Sequence, residues 1–345
     1  MRSTITALLI ILVTATPALI PMVVATPTGQ GFLSTRGTSI VDSAGQVVQL
    51  RGVNYPGYED TPSSQHLQGA YLFLARLGFN VVRLPISWAN MEPQPGVFDT
   101  EFLTWRVDQD VLWAGVAGVR IILDMHQIYW AERFGGLGAP DWSVQQYPAS
   151  QTGLREAVTD FWTDTNLQDQ LISVWVKIAQ HYANQPTLAG YDILNEPWIY
   201  TSIDPSLNGT TIDSFYARAV QAIREVDKNH IIFLEPANLD AFKLPNLTNI
   251  VWSPHFYQLA FVNKYYEENY TLLEADFQAE YQQFMLEMEV PMWIGEFGSF
   301  IPDHASSVKW TQDVVTLFNR NSIGWAWWAY TGTNQIPNIL FLTGN

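Results

Sequence analysis

The 345 residues carry 17 Lys plus Arg against 33 Asp plus Glu, a formal charge of −16, and no cysteine. So acidic a chain repels nucleic acid and anionic membranes, whose binding draws on Lys and Arg, and the missing thiols exclude disulfides, thiolate zinc sites and cysteine nucleophiles. What remains has a heavy aromatic load, 14 Trp, 15 Tyr and 18 Phe, enough to pack one large α/β core and still line a cleft for a neutral ligand with flat apolar faces, such as a sugar.

At the N-terminus, Met1-Arg2 precede an apolar stretch from Ile5 to Ala25 that closes on the small residues Val23-Val24-Ala25. A signal peptide over 1–25 is expected, giving a secreted, extracellular protein with no membrane contact after cleavage. The stretch approaches the about 20 residues that span a bilayer, so an uncleaved anchor is the alternative. The folded domain is then 31–345. Asn208, Asn246 and Asn269 head Asn-x-Thr sequons.

Thr38 to Leu50 reads as a hairpin turning at Asp42-Ser43-Ala44-Gly45. From Arg51 onward, short β-rich runs alternate with longer amphipathic ones. The strand-like runs are 51–55, 80–86, 119–125, 189–194, 230–234, 250–254, 291–295 and 323–328. Helical runs fall at 66–77, 101–117, 167–183, 211–227, 273–289 and 305–319; in the first, Leu67, Tyr71, Leu74 and Leu77 form the stripe that packs on a sheet. This alternation predicts an α/β fold, a (β/α)₈ TIM barrel with an N-terminal hairpin. Residues 237–249 are too polar and Pro-broken for a full helix, and 329–345, broken by Pro337, leave the eighth helix short or missing.

Active sites of such barrels form where the strands end. The second run ends in Arg83-Leu84-Pro85, and the third runs into Asp124-Met125-His126-Gln127. The fourth ends in Asn195-Glu196-Pro197, the fifth in Glu235-Pro236 and the sixth in His255-Phe256-Tyr257. The seventh ends in Gly295-Glu296-Phe297-Gly298, and the eighth carries Trp325, Trp327 and Trp328. One charged strand end is commonly a salt bridge. So many polar or aromatic ends at one mouth are hard to explain as structure, because burying charge is costly. Breaking a glycosidic bond takes an acid for the leaving oxygen and a carboxylate across the sugar carbon. Glu196 and Glu296 would stand on either side if the fourth and seventh strands face each other. His126 and His255 could instead hold a metal. However, Asp124-x-His126 is not a His-x-His pair and no neighbouring run completes a ligand set, so no metal and no cofactor are expected.

The segments 50–56, 82–85, 123–127, 190–197, 253–257, 294–298 and 324–330 together resemble glycoside hydrolase family five, within the clan that carries its two catalytic glutamates on the fourth and seventh strands. The specific signal is the ordered set Arg83, His126, Asn195-Glu196-Pro197, His255-x-Tyr257 and Glu296-Phe297-Gly298. The resemblance implies retaining hydrolysis of β-linked sugars through a glycosyl-enzyme. Glu196 is implied as acid/base and Glu296 as nucleophile, with carboxyls about 5 Å apart. Asn195 would hydrogen-bond the sugar 2-hydroxyl. Arg83 and Tyr257 would keep Glu296 ionised, His126 and His255 would shape the network around sugar and acid, and Trp328 would be the stacking floor. Glu196 should have a raised pKa, from an apolar setting and the neighbouring anion. An inactive sugar-binding barrel would be expected to lack one of Glu196, Glu296, Arg83 or Asn195, and all four are present.

Family substrates point first to an oligosaccharide or polysaccharide partner, a β-1,4-glucan cut by an endo-acting monomer. Trp130, Trp142, Trp198 and Trp325 could add stacking sites, although core packing is the default for each. The loop from Gln127 to Trp142, with Phe161-Trp162 and Leu167-Gln168-Asp169, is similar to the endoglycoceramidase-like branch, which releases glycan from ceramide. That branch is the alternative, alongside mannanase and β-1,3-glucanase.

Overall fold

Each of the eight β-rich runs forms a strand, and nearly all their residues are buried, as a parallel sheet wrapped by helices requires. The computed structural model describes residues 31–331, apart from 61–64, 198–202, 205–206, 208, 236–246, 259–265, 267–268 and 300–304. The barrel strands are β3 (Arg51–Asn54), β4 (Val81–Ile86), β5 (Arg120–Met125), β6 (Leu188–Asp192), β7 (Ile231–Leu234), β8 (Ile250–Trp252), β9 (Trp293–Phe297) and β10 (Gly324–Trp327). They pair in parallel in the order β8-β7-β6-β5-β4-β3-β10-β9. The ring closes between β8 and β9 through two isolated parallel bridges, Trp252 with Met292 and His255 with Glu296. This seam therefore aligns two of the residues of interest through the backbone. Strand β9 begins and ends two residues later than the sequence pattern suggests, so Glu296 lies within it.

Close approach of strands explains one invariant of the geometry: a Cβ on Gly52 would fall 1.7 Å from the Val81 carbonyl oxygen, so only glycine fits there. Alternate strand residues divide between two cores. The outer one joins strands to helices. In the inner one Val81, Ile122, Ile231, Val251, Trp293 and Ala326 pack together, and Leu33 and Ile40 of the N-terminal hairpin join them. The hairpin thus plugs the lower end of the barrel. Its strands, β1 (Ser34–Arg36) and β2 (Ser39–Val41), reverse at Gly37, whose φ is +55°. The turn expected at 42–45 also forms, with Gly45 N–H donating to Asp42 O at 2.9 Å, and it serves only a single Val41–Val47 bridge.

The expected helices are present at Gln68–Arg76, Thr165–Tyr182, Gly209–Val226 and Ala305–Arg320, and two more contain π turns, at Leu103–Val107 and Gln278–Gln282. A further helix, Gln151–Thr163, escaped the periodicity reading; Ser150 caps it by accepting from Gly153 N–H at 3.2 Å, and it buries Phe161 and Trp162. The expectations for 1–25, most of 237–249, Trp198, and nearly all of the stretch after β10 lie outside the described residues. Among the described residues, no helix is long and apolar enough to cross a membrane.

Candidate active site

Arg83 sits mid-strand in β4, fully buried at the centre of the mouth. Its Nη1 donates to Glu296 Oε1 at 2.7 Å and to Asn54 Oδ1 at 3.1 Å, and its Nε to Asp192 Oδ2 at 2.9 Å. Its Nη2 donates to Asn195 Oδ1 at 2.9 Å and lies 2.9 Å from Asp124 Oδ1 and 3.3 Å from Glu235 Oε1. One guanidinium therefore faces four carboxylates. Burial opposes its charge, but Asp124, Asp192, Glu296 and Glu235 raise its pKa well above the ordinary value. The excess of anions is felt by its partners. Burial, with Asp124 and Glu235 nearby, pushes the Asp192 carboxyl well up despite Arg83.

Glu296 is held from two sides, by Arg83 and by the Tyr257 hydroxyl, which donates to its Oε2 at 3.1 Å. Burial and the neighbouring Glu296 anion push the Tyr257 pKa well up, so the phenol keeps the proton that it donates. Glu196 is held differently. Its backbone is left-handed, φ +46°, and its N–H donates to Glu235 Oε2 at 3.0 Å. Its Oε1 lies 2.8 Å from His255 Nδ1. Gly295 makes room for that ring, since a Cβ there would come within 3.2 Å of His255 Nε2. A carboxylate oxygen of Glu196, one of Glu296 and a nitrogen of His255 all lie within 4.8 Å of one another. That separation matches retaining rather than inverting glycosidases.

The structure corrects the sign of one expectation. Burial does push the Glu196 carboxyl up, but the bond to His255 and the charges of His255, His126 and Arg83 bring it below its ordinary value. His255 is raised well above its own ordinary value, because Glu235 and Glu296 outweigh its burial. His126 is also raised: burial opposes its charge, but Asp124 Oδ2 at 2.7 Å from Nδ1 prevails. The Glu196, Glu296 and His255 atoms could in principle meet a cation. Glu296 already faces the Arg83 guanidinium and the Tyr257 phenol, and Glu196 faces the His255 ring, and this donor environment disfavours one.

The structure brings Arg83, His126, Asn195, Glu196, His255, Tyr257, Glu296 and Trp328 to one mouth. Asn195 is locked by Arg83 and by its own Nδ2 bond to Gln127 O at 3.1 Å. Trp328 stacks on His126 with ring centroids 5.2 Å apart and 9° between planes. It is half-buried, whereas Trp327 is core. Trp130 and Trp325 are 2% and 1% exposed and pack in the core, so they are not available for stacking. Trp142 is half-buried and lines a groove of about 460 Å³ with Tyr147, Asp160 and Leu167. Sequence reasoning left out Asn54, Asp124, Asp192, Gln127 and Glu235. Asp124 and Glu235 were visible as charged strand ends. Asn54 and Asp192 had no signal beyond their strands.

A (β/α)₈ barrel with two carboxylates this close at its mouth defines a glycoside hydrolase. The chain belongs to glycosyl hydrolase family 5: residues 41–334 match the family model described as cellulase (glycosyl hydrolase family 5). It is 26% identical to a beta-xylosidase of Phanerodontia chrysosporium, over 87% of this chain and 70% of that protein. It is 29% identical to endoglycoceramidase I of Rhodococcus hoagii (strain 103S), over 65% of this chain but only 52% of the relative. An endoglucanase of Paenibacillus polymyxa is 26% identical over 87% of this chain and 80% of the relative. Among solved structures, an endogalactoceramidase superposes with a TM-score of 0.73 at 28% identity, over 87% of this chain and 75% of the other.

Proposed function

We propose that this glycoside hydrolase retains configuration, with Glu296 as nucleophile and Glu196 as acid/base. The observation that carries the reading is the separation of at most 4.8 Å, combined with the different holders of the two groups. Arg83 and Tyr257 favour an anion at Glu296. Glu196 instead meets His255, which can share a proton with it. In the first half-reaction a Glu296 oxygen attacks the anomeric carbon, and the proton from the Glu196 side moves to the departing oxygen. In the second, Glu196 takes a proton from water, the water oxygen attacks the same carbon and Glu296 leaves. Trp328 supports the sugar ring, and a lone pair of Asn195 Oδ1 is available to its 2-hydroxyl. Azide tests the assignment. It should restore turnover of an activated aryl glycoside by Glu196→Ala and give a glycosyl azide of retained configuration. Retained product from the Glu296 variant, with inverted product from Glu196→Ala, would mean that the roles are exchanged.

For the substrate, we infer a glycan carried on an apolar aglycone, ahead of the β-1,4-glucan that the motifs first suggest. Two of the expected polysaccharide platforms, Trp130 and Trp325, are core. The loop that starts at Gln127 instead exposes Ile128 (38%) and Tyr129 (50%), an apolar tip next to the site. The similarity to endoglycoceramidase I and to the endogalactoceramidase supports this reading. The coverage of the endoglucanase favours the glucan. A glycosphingolipid and carboxymethyl-cellulose assayed side by side separate the two: release of intact glycan supports the first, and a fall in viscosity with no glycolipid cleavage supports the second. Export through 1–25 belongs to the same proposal, and N-terminal sequencing of the mature protein tests it.

A further inference from the structure

Glu235 ends β7, is 1% exposed and has both oxygens committed. Oε2 accepts from the Glu196 backbone N–H at 3.0 Å. Oε1 lies 3.3 Å from Arg83 Nη2 and 3.1 Å from His255 Nε2, the latter oblique to the ring rather than in line. Glu196 has left the β6 ladder, so its N–H needs another acceptor. Its left-handed φ of +46° is unfavourable for a residue with a side chain and must be held by its surroundings.

His255 stands between two carboxylates, Glu196 on Nδ1 and Glu235 on Nε2. A neutral imidazole carries one proton, and its place decides what Glu196 can do. With the proton on Nδ1, the ring donates to Glu196 and turns a bare lone pair toward Glu235. With the proton on Nε2, the ring faces Glu235 with a donor, and Nδ1 is left to share a second proton with Glu196. The Glu235 anion favours the second arrangement.

We propose that Glu235 is a positioning residue for the acid/base step: it fixes the backbone of Glu196 and keeps a proton on His255 Nε2, so that the one proton between His255 Nδ1 and Glu196 Oε1 is the proton delivered to the leaving group. After delivery Glu196 is a carboxylate and His255 still holds its Nε2 proton. The proposal rests on Glu196 being the acid/base.

The charged and titratable groups around the pair set the sign of the pH effect. They are Arg83 on β4, Asp124 and His126 at the end of β5, Asp192 on β6, Glu296 on β9 and Tyr257 beyond β8. From the helix Gly209–Val226, Tyr216 donates its hydroxyl to the Glu235 carbonyl oxygen at 3.0 Å. Among the described residues Arg83 alone is a fixed cation there, so the site is rich in negative charge and holds the shared proton firmly. Burial pushes the Glu235 carboxyl itself up, against the pull of His255 and Arg83. Replacing Glu235 by glutamine removes one anion, so the shared proton should leave at lower pH.

The test is Glu235→Gln. The basic limb of its kcat/KM profile should move down by about one pH unit. Its kcat/KM should fall about 100-fold on a glycoside with a poor leaving group, yet only about threefold on a dinitrophenyl glycoside, which needs no acid in the first step. Glu235→Asp, which restores the charge, should bring the basic limb back. An equal loss on both substrates with an unmoved limb would overturn the proposal and leave Glu235 a merely structural residue. Nitrogen-15 NMR of histidine-labelled native protein, with His255 assigned by His255→Asn, decides the matter even where the variant does not fold. A proton on Nε2 is expected, and one confined to Nδ1 overturns the proposal. That spectrum does not depend on Glu196 being catalytic, whereas azide rescue tests that reading alone.

Discussion

The two ends of the barrel are built from opposite materials. At the lower end Trp293 meets Phe233 edge-on at 5.4 Å, and Leu33 and Ile40 close an apolar plug. At the mouth one guanidinium faces four carboxylates. Apolar burial at the lower end stabilises the fold in proportion to area. A buried ionic network adds little net stability, because desolvation offsets attraction, although removing one member is severe. Stability is therefore concentrated at one end and chemistry at the other, with the shared strands rigidly linking them.

The strongest test of that division is Glu296→Gln. Rates on an aryl β-glycoside should fall about 10⁵-fold, as for loss of a covalent nucleophile, while the melting temperature changes by no more than a few degrees, because Arg83, the network's cation, still faces Asp124, Asp192 and Glu235 and the amide keeps its hydrogen bond. A collapse of stability together with activity would break the comparison. Arg83→Met is where the two ends should stop being separable. It leaves several buried carboxylates without their cation, so a loss of about 3–5 kcal/mol by urea unfolding should accompany a loss of activity of about 10³-fold. Phe233→Ala reverses the pattern. A loss of about 3–5 kcal/mol is expected from the emptied core, with kcat/KM of the folded protein within about threefold of the parent.

The lower end and the strand ends were the legible parts of the sequence. Apolar β-rich runs bounded by charged residues give the strands to within two residues, because burial on both faces leaves few other uses for such runs. The residues of the mouth were legible as strand ends, since the barrel directs those ends to one place. What was not legible depended on orientation across the barrel. The sequence pattern cannot tell that Trp130 and Trp325 point into the core while Trp328 does not. Nor does Glu235-Pro236 reveal that the Glu235 oxygens reach Glu196 and His255. The sign of the Glu196 shift failed for the same reason: its nearest polar neighbour comes from a strand end 59 residues later.

The smallest predicted effect separates the two ends by pH. On the lower side, Asp227 Oδ2 accepts from the Tyr191 hydroxyl at 2.7 Å and lies 2.5 Å from His230 Nδ1, and Oδ1 accepts from Asn229 N–H at 2.8 Å. Burial pushes this carboxyl up, but the His230, Tyr191 and Asn229 bonds together bring it below its ordinary value. A depressed folded value means that the fold favours the ionised form. The resulting stability is present above the unfolded carboxyl value of about 3.9 and is lost as pH falls through the folded value. At the mouth the sign is reversed. His255 is raised, so its contribution is present below about 6.5 and is lost as pH rises through its folded value. Asp227→Asn should therefore lower the melting temperature by about 2–4 °C at neutral pH, and the difference from the parent should close on acidification. His255→Gln should differ from the parent most in mild acid, and that difference should close on the alkaline side. Melting curves across pH for the two variants check both signs, and parallel closure on the same side would mean that the two ends are not electrostatically distinct.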